Sequence, residues 1–271
     1  MDLDQLLSYL TPIGAAALMA AAWVAPAHAL DEPAPPALNA DQVVARLEQK
    51  NQERAEALEH YVGHRRYHLE YHGFPGTKEA TMEVNANFDA PASKRFTVTS
   101  ETGSKLILNR VFRRLLESEQ EATDANNGKR TALTTANYTF SLAGIDGTNY
   151  VLNVEPKEET KFLYRGKIWV DPNDFAVTKI EAEPAKNPSF WTTKSEIRHT
   201  YQKIDNFYLP KQNETVTNTR LGGVATLTIE YLSYDVIPSA KKETAAKTSA
   251  GAALEANHAT TVGALVTGIS H

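Results

Sequence analysis

The segment Lys161 to Glu183, KFLYRGKIWVDPNDFAVTKIEAE, constrains the fold of this chain more than any other. Side chains along a strand alternate between faces, so Phe162, Tyr164, Ile168 and Val170 share one face while Lys161, Arg165, Lys167 and Trp169 share the other. Asp171-Pro172-Asn173-Asp174 supplies the reversal, because proline presets φ and Asn and Asp side chains bond nearby backbone. A hairpin with one greasy face needs neighbours and a cover. Its design recurs at Tyr138 to Leu142, where Asp146-Gly147 turns the chain into Tyr150 to Val154. Lys194 to Ile204 and Phe207 to Val216 repeat it around Asp205-Asn206. In Ala225 to Tyr234, Leu227, Ile229 and Tyr231 alternate with Thr226, Thr228 and Glu230. The main body is therefore expected to be a meander of antiparallel hairpins.

Upstream the period changes. Asn39, with Gln42 three residues on, has the form of a capping box, and Val43, Val44, Leu47, Ala55, Leu58 and Val62 follow at three- and four-residue spacings. This predicts a long amphipathic helix ended by Gly63. His64 to His72 then alternates, with Tyr67, Leu69 and Tyr71 on one face and Arg66, His68 and Glu70 on the other. Met82 to Phe88 and Arg95 to Ser100 continue as strands, separated by breaks at Phe74-Pro75-Gly76 and Ala90-Pro91. From Ser104 to about Ala122, Leu106, Leu108, Val111, Phe112, Leu115 and Leu116 mark a second amphipathic helix, although its first residues, KLILN, also fit a strand.

The ends of the chain differ in kind. Ile13 to Ala25 is an apolar run followed by Pro26 and Ala27-His28-Ala29, a small-x-small cleavage pattern. Residues 1–29 therefore read as a secretory signal. The run is shorter than the roughly 20 apolar residues of a membrane span, and Asp2 and Asp4 replace the usual positive charge, so a retained anchor is the alternative. A Pro-rich linker is expected over 30–38, one domain over 39–236, and a low-complexity, disordered tail over 237–271. Export would place the domain in the periplasm.

Composition removes several function classes. The chain has no cysteine, which excludes a disulfide framework, a thiolate nucleophile, a thiolate zinc site and an acylated cysteine. A formal net charge of −5 gives no electrostatic reason to expect nucleic acid. No GxSxG elbow, phosphate loop, HExxH helix or dinucleotide fingerprint occurs; Gly222-Gly223 reads as a turn. No catalytic residue, cofactor or enzyme activity is expected. His60, His64, His68 and His72 would stack along a helix and invite a metal, but four residues of strand span roughly 13 Å, too far for one ion. No metal site is expected. Arg65-Arg66 and Arg110, Arg113 and Arg114 are compact basic groups that fit either anionic headgroups or plain solvated surfaces.

An apolar strand face beneath amphipathic helices either encloses a cavity suited to an acyl chain or fills a core. Three passages bear on the choice: GSKLILNRVFRRLLESE from Gly103 to Glu119, the segment from Lys161 to Trp191, and RLGGVATLTIEY from Arg220 to Tyr231. In these, and in its order of elements over roughly Asn39 to Asp235, the chain resembles the LolA-like superfamily of periplasmic lipoprotein carriers, outer-membrane lipoprotein-sorting proteins and RseB/MucB stress sensors. That resemblance implies a mainly β (α+β) fold, an unclosed antiparallel β-barrel or curved sheet covered by amphipathic helices. It also implies a non-enzymatic carrier holding acyl chains of lipoproteins or other lipids, with envelope transport proteins as partners and peripheral or transient membrane contact. An envelope sensor or scaffold without an open cavity is the alternative. The residues expected to line such a cavity are Tyr67, Leu69, Phe140, Leu142, Phe162, Tyr164, Ile168, Val170, Leu227, Ile229 and Tyr231. Leu108, Val111, Phe112 and Leu115 are expected on the helical cover.

Overall fold

The computed structural model describes residues 38–91, 93–123, 129–160, 163–186, 192–220 and 222–239. The expected signal, nearly all of the linker, most of the tail, and Lys161 and Phe162 lie outside the described residues.

Helix α1 spans Ala40–Ala57 and its capping box forms: Gln42 N–H donates to Asn39 Oδ1 at 2.9 Å, and Asn39 N–H donates to Gln42 Oε1 at 3.0 Å. Three strands follow, β1 (Leu58–His72), β2 (Lys78–Asp89) and β3 (Ser93–Gly103). A helical segment comes next, made of α2 (Lys105–Ile107), a π-helical turn (Leu108–Phe112) and α3 (Arg113–Thr123). Seven more strands complete the order: β4 (Tyr138–Asp146), β5 (Asn149–Pro156), β6 (Tyr164–Val170), β7 (Val177–Pro184), β8 (Thr192–Ile204), β9 (Phe207–Thr219) and β10 (Val224–Pro238).

The ten strands form one antiparallel sheet in the order β3-β2-β1-β10-β9-β8-β7-β6-β5-β4. The last strand pairs with the first, and among the described residues β3 and β4 are the unjoined edges. The antiparallel meander is the one expected from the hairpin pattern, and the unclosed, helix-covered sheet is what the family resemblance implied.

One boundary differs. The first helix stops at Ala57, and Leu58 to Gly63 belong to β1 rather than to the helix. β1 pairs along almost its whole length with both β10 and β2, so extending the helix would forfeit two hydrogen-bond ladders at once. Tertiary pairing overrides the helical spacing of Leu58 and Val62. Gly63, expected to end the helix, lies mid-strand beneath the Tyr234 ring, which a Cβ would approach to 3.1 Å.

In the central hairpin, Asp171 Oδ1 accepts from the N–H groups of Asn173 and Asp174 at 2.9 and 2.8 Å, making the expected turn. Tyr164, Ile168 and Val170 are buried on one face. Trp169, on the other, donates from Nε1 to Asp146 at 2.8 Å and lies under Lys179 Nζ at 4.2 Å.

Candidate binding site beneath the helices

The covered face of the sheet is built in two apolar fields. Val43, Val44 and Leu47 of α1 lie against Tyr138, Leu152, Val154, Tyr164, Ile168 and Val170 of β4 to β6. Ile107, Leu108, Val111, Phe112, Leu115 and Leu116 of the second helical segment lie against Tyr67, Leu69, Met82, Leu227, Ile229 and Tyr231 of β1, β2 and β10. These six helical residues fall in two rows spaced by four. In a plain α-helix each four-residue step drifts by about 40°, and the wider π turn in the middle offsets that drift, keeping both rows on the sheet. KLILN is thus helical, not a strand. The segment leaves the sheet at Gly103, whose φ of 92° and close approach to Glu79 O, 2.4 Å from a built Cβ, leave no room for a side chain.

Between the two fields runs a polar seam absent from the sequence expectations. Ser195 and His199 of β8 and Asn213, Thr215 and Thr217 of β9 all point to the covered side and are buried. Ser195 Oγ and Thr217 Oγ1 are 3.0 Å apart, and Asn213 Nδ2 donates to the Tyr231 hydroxyl at 2.9 Å. The period-two rule places Asn213, Thr215 and Thr217 on one face of β9, opposite His199, Ile197 and Ser195, so a signal was present in their spacing.

A charged cluster closes the second field. Arg65, 1% exposed, donates from Nη1 to Glu119 Oε1 and Oε2 of α3 at 2.8 and 3.1 Å. Lys94 Nζ of β3 meets the same carboxylate, and Gln120 Nε2 donates to the Lys94 carbonyl at 3.2 Å. The Arg65 guanidinium lies 4.7 Å from the Tyr231 ring centre and 5.5 Å from that of Phe96. Burial by itself would raise the Glu119 carboxyl, but Arg65 and Lys94 carry it from an ordinary 4.5 down to about 2. Burial likewise lowers the guanidinium, and Glu119 with the surrounding tyrosines outweighs it and holds Arg65 well above its ordinary range. Burial and the nearby Glu119 push the Tyr67 hydroxyl up. The sequence reading treated Arg65 as one of a surface pair with Arg66, yet odd-numbered positions of β1 are the covered ones, and Arg65 shares them with Tyr67 and Leu69.

Of the residues expected to line a cavity, Tyr67, Leu69, Leu227, Ile229 and Tyr231 meet the second helical segment, as do Leu108, Val111, Phe112 and Leu115 from above. Tyr164, Ile168 and Val170 are buried in the α1 field, with Phe140 half-buried at its margin. The two sets sit in separate fields, and the buried residues contact one another instead of lining an open space. Leu142 departs from the expected lining: it is 41% exposed, on the edge strand β4.

His60, His64, His68 and His72 all lie on the uncovered face of β1. His60 Nδ1 meets Asp89 at 2.8 Å, His64 Nδ1 meets Asn85 at 2.9 Å, and His68 Nδ1 meets Thr81 at 3.0 Å. Arg113 is exposed and reaches Glu101 at 3.2 Å. A trough of about 570 Å³ crosses the uncovered face of β5 to β9, walled by Glu155, Arg165, Glu181, Glu183, Lys194 and Arg198. Charged groups of both signs line it, so it offers no apolar slot.

No family model matches this chain, and neither does any curated protein. Among solved structures, it is similar to a domain from Vibrio parahaemolyticus provisionally described as an outer membrane lipoprotein-sorting protein, with 9% identity, a TM-score of 0.35, and coverage of 72% of this chain and 92% of that one. A LolA superfamily protein from Nitrosomonas europaea matches at 12% identity and a TM-score of 0.32, covering 76% and 97%. The MucA/MucB complex of Pseudomonas aeruginosa matches at 9% identity and a TM-score of 0.24, covering 73% and 100%. All three are distant likenesses.

Proposed function

We propose that this chain is a non-enzymatic, periplasmic envelope protein that takes acyl chains of lipoproteins or other lipids beneath the segment from Lys105 to Thr123. The observation that supports this reading is the construction of that cover. An apolar double row rests on an apolar strand face, a glycine corner carries one end, and a buried ion cluster fastens the other. Ion pairs in apolar surroundings are costly compared with hydrophobic packing, so a cover meant to be permanent has no need of one.

The energies allow exchange. Six buried apolar side chains contribute roughly 10 to 15 kcal/mol by burial, and an acyl chain of about 15 methylenes offers ~12 kcal/mol to the same strand face. The ligand can therefore replace the cover on Tyr67, Leu69, Leu227, Ile229 and Tyr231 with little net loss. The neighbouring seam of Ser195, Asn213 and Thr217 gives the ester or amide end of a lipid hydrogen-bonding partners. Names attached to the similar structures, lipoprotein sorting above all, agree with this class of ligand.

Native mass spectrometry after incubation with an acylated peptide tests the proposal. Wild type should retain the acylated mass, and Leu227→Asp, once circular dichroism verifies its fold, should lose it. A wild-type protein that stays bare would end the carrier reading.

A second reading is a scaffold that binds another envelope protein. It is favoured by edge strand β4, whose residues Thr139 to Ile145 carry no charge and expose Leu142 and Ile145. An unprotected edge of this kind accepts an added strand. Pull-down by the wild type but not by Leu142→Lys would select it.

A further inference from the structure

The most exposed large apolar side chain among the described residues is neither on the covered face nor on β4. It is Phe74, 77% exposed, at the tip of the hairpin joining β1 and β2. A solvated aromatic on a loose loop would need no explanation, but this tip is held. The buried Tyr71 donates from its hydroxyl to the Phe74 carbonyl at 2.8 Å, and Gly76 N–H donates back to Gly73 O. The adjacent turn between β9 and β10 is pressed against it. A Cβ on Gly73 would stand 2.5 Å from Gly223 Cα, and one on Gly223 would stand 2.4 Å from the Tyr71 hydroxyl. Gly223 O in turn accepts from Thr219 N–H at 2.8 Å. Two hairpin ends are thus packed backbone to backbone around one tyrosine, with Phe74 projecting into water.

The surrounding charge has a sign. Lys78 starts β2, Lys105 starts the cover beside it, and Arg220 follows β9 in the neighbouring turn. Two carboxylates share this end, Glu70 at 3.1 Å and Glu79 at 3.9 Å from His68 Nε2, and the three cations outnumber them. A rigid aromatic flanked by cations fits a bilayer interface, where an aromatic ring enters the acyl boundary and basic side chains stay among anionic headgroups.

We propose that the Phe74 tip is the point at which this protein docks on membranes containing anionic lipid. The docking tip then lies at the corner end of the cover, because Ser104 N–H bonds Glu79 O beside the tip, at 2.8 Å. The proposal does not depend on what the cover binds.

The test is local to the tip. In the full chain, Phe74→Trp is mixed with vesicles containing phosphatidylglycerol and brominated lipid, and its emission is compared with wild type and with Ile145→Trp, a similarly exposed site elsewhere. Phe74→Trp alone should show added quenching, and the effect should be absent on pure phosphatidylcholine. In flotation, Phe74→Ala should weaken binding about tenfold, the equivalent of losing one inserted aromatic ring. Protein that floats without quenching at position 74, or that does not float, would overturn the proposal.

Discussion

Removing Glu119 leaves two buried cations facing each other. Arg65 and Lys94 share its carboxylate, and neither has water to fall back on. Glu119→Ala should therefore cost about 3 to 5 kcal/mol, read as a fall in the urea midpoint, because truncating one partner strands the others. Replacing all three by apolar residues, as in Arg65→Met, Lys94→Met and Glu119→Leu together, should be neutral or stabilising in the same titration. A triple variant as unstable as Glu119→Ala would show that the cluster itself holds the fold. Acid acts on the same group. Its folded pKa of about 2 lies below the ordinary 4.5, so its contribution, about 3 kcal/mol, is present above pH 4.5 and is lost as pH falls through the range from about 4.5 to about 2. Circular dichroism in an acid titration should show a loss of stability in that window, and Glu119→Gln should remove most of the slope.

The cover is the element whose behaviour distinguishes a carrier from a rigid scaffold. Its apolar double row docks on β1, β2 and β10, while its backbone leaves the sheet at the corner of Gly103. Opening it exposes six side chains but breaks no strand ladder, so it requires less than global unfolding. Hydrogen exchange should show amides from Leu108 to Glu119 opening as one unit, well before those of β1 and β10. Glu119→Gln should speed that unit and leave the β1 amides unchanged. Uniform protection across cover and sheet would mean the segment is simply core. At the corner, Gly103→Ala forces a Cβ against the Glu79 carbonyl at a left-handed φ, and should destabilise by more than 1 kcal/mol, measured by thermal unfolding.

Across the whole molecule, the hairpins were legible because each strand carries its own alternation and its own turn residues. Tyr164, Ile168 and Val170 could be assigned to the covered face, as could Leu227, Ile229 and Tyr231. What periodicity could not supply was partnership. Which apolar face meets which helix depends on strand order, and the pairing of β1 with β10, from 180 positions apart at Leu58 and Pro238 to 152 at His72 and Val224, has no local signature. The same pairing moved Leu58 and Val62 out of the helix, split the expected lining between two fields, and buried Arg65 opposite a carboxylate 54 residues away. Leu142 was misplaced for a related reason: alternation gives a side chain its face, but only the strand order reveals that β4 stands at an edge. Sheets protect their edges with charge, twist or cover, and β3 has Lys94, Arg95 and Glu101, whereas Thr139 to Ile145 of β4 has no charge and a single irregularity between Leu142 and Gly144. If β4 is the place where another strand is added, concentrated protein should associate through it, and Leu142→Lys should abolish that association without changing the melting temperature, since Leu142 already faces water. Sedimentation of both forms across a concentration series measures this. Association that survives the lysine would move the contact elsewhere, to the Phe74 tip or the outer face of β1.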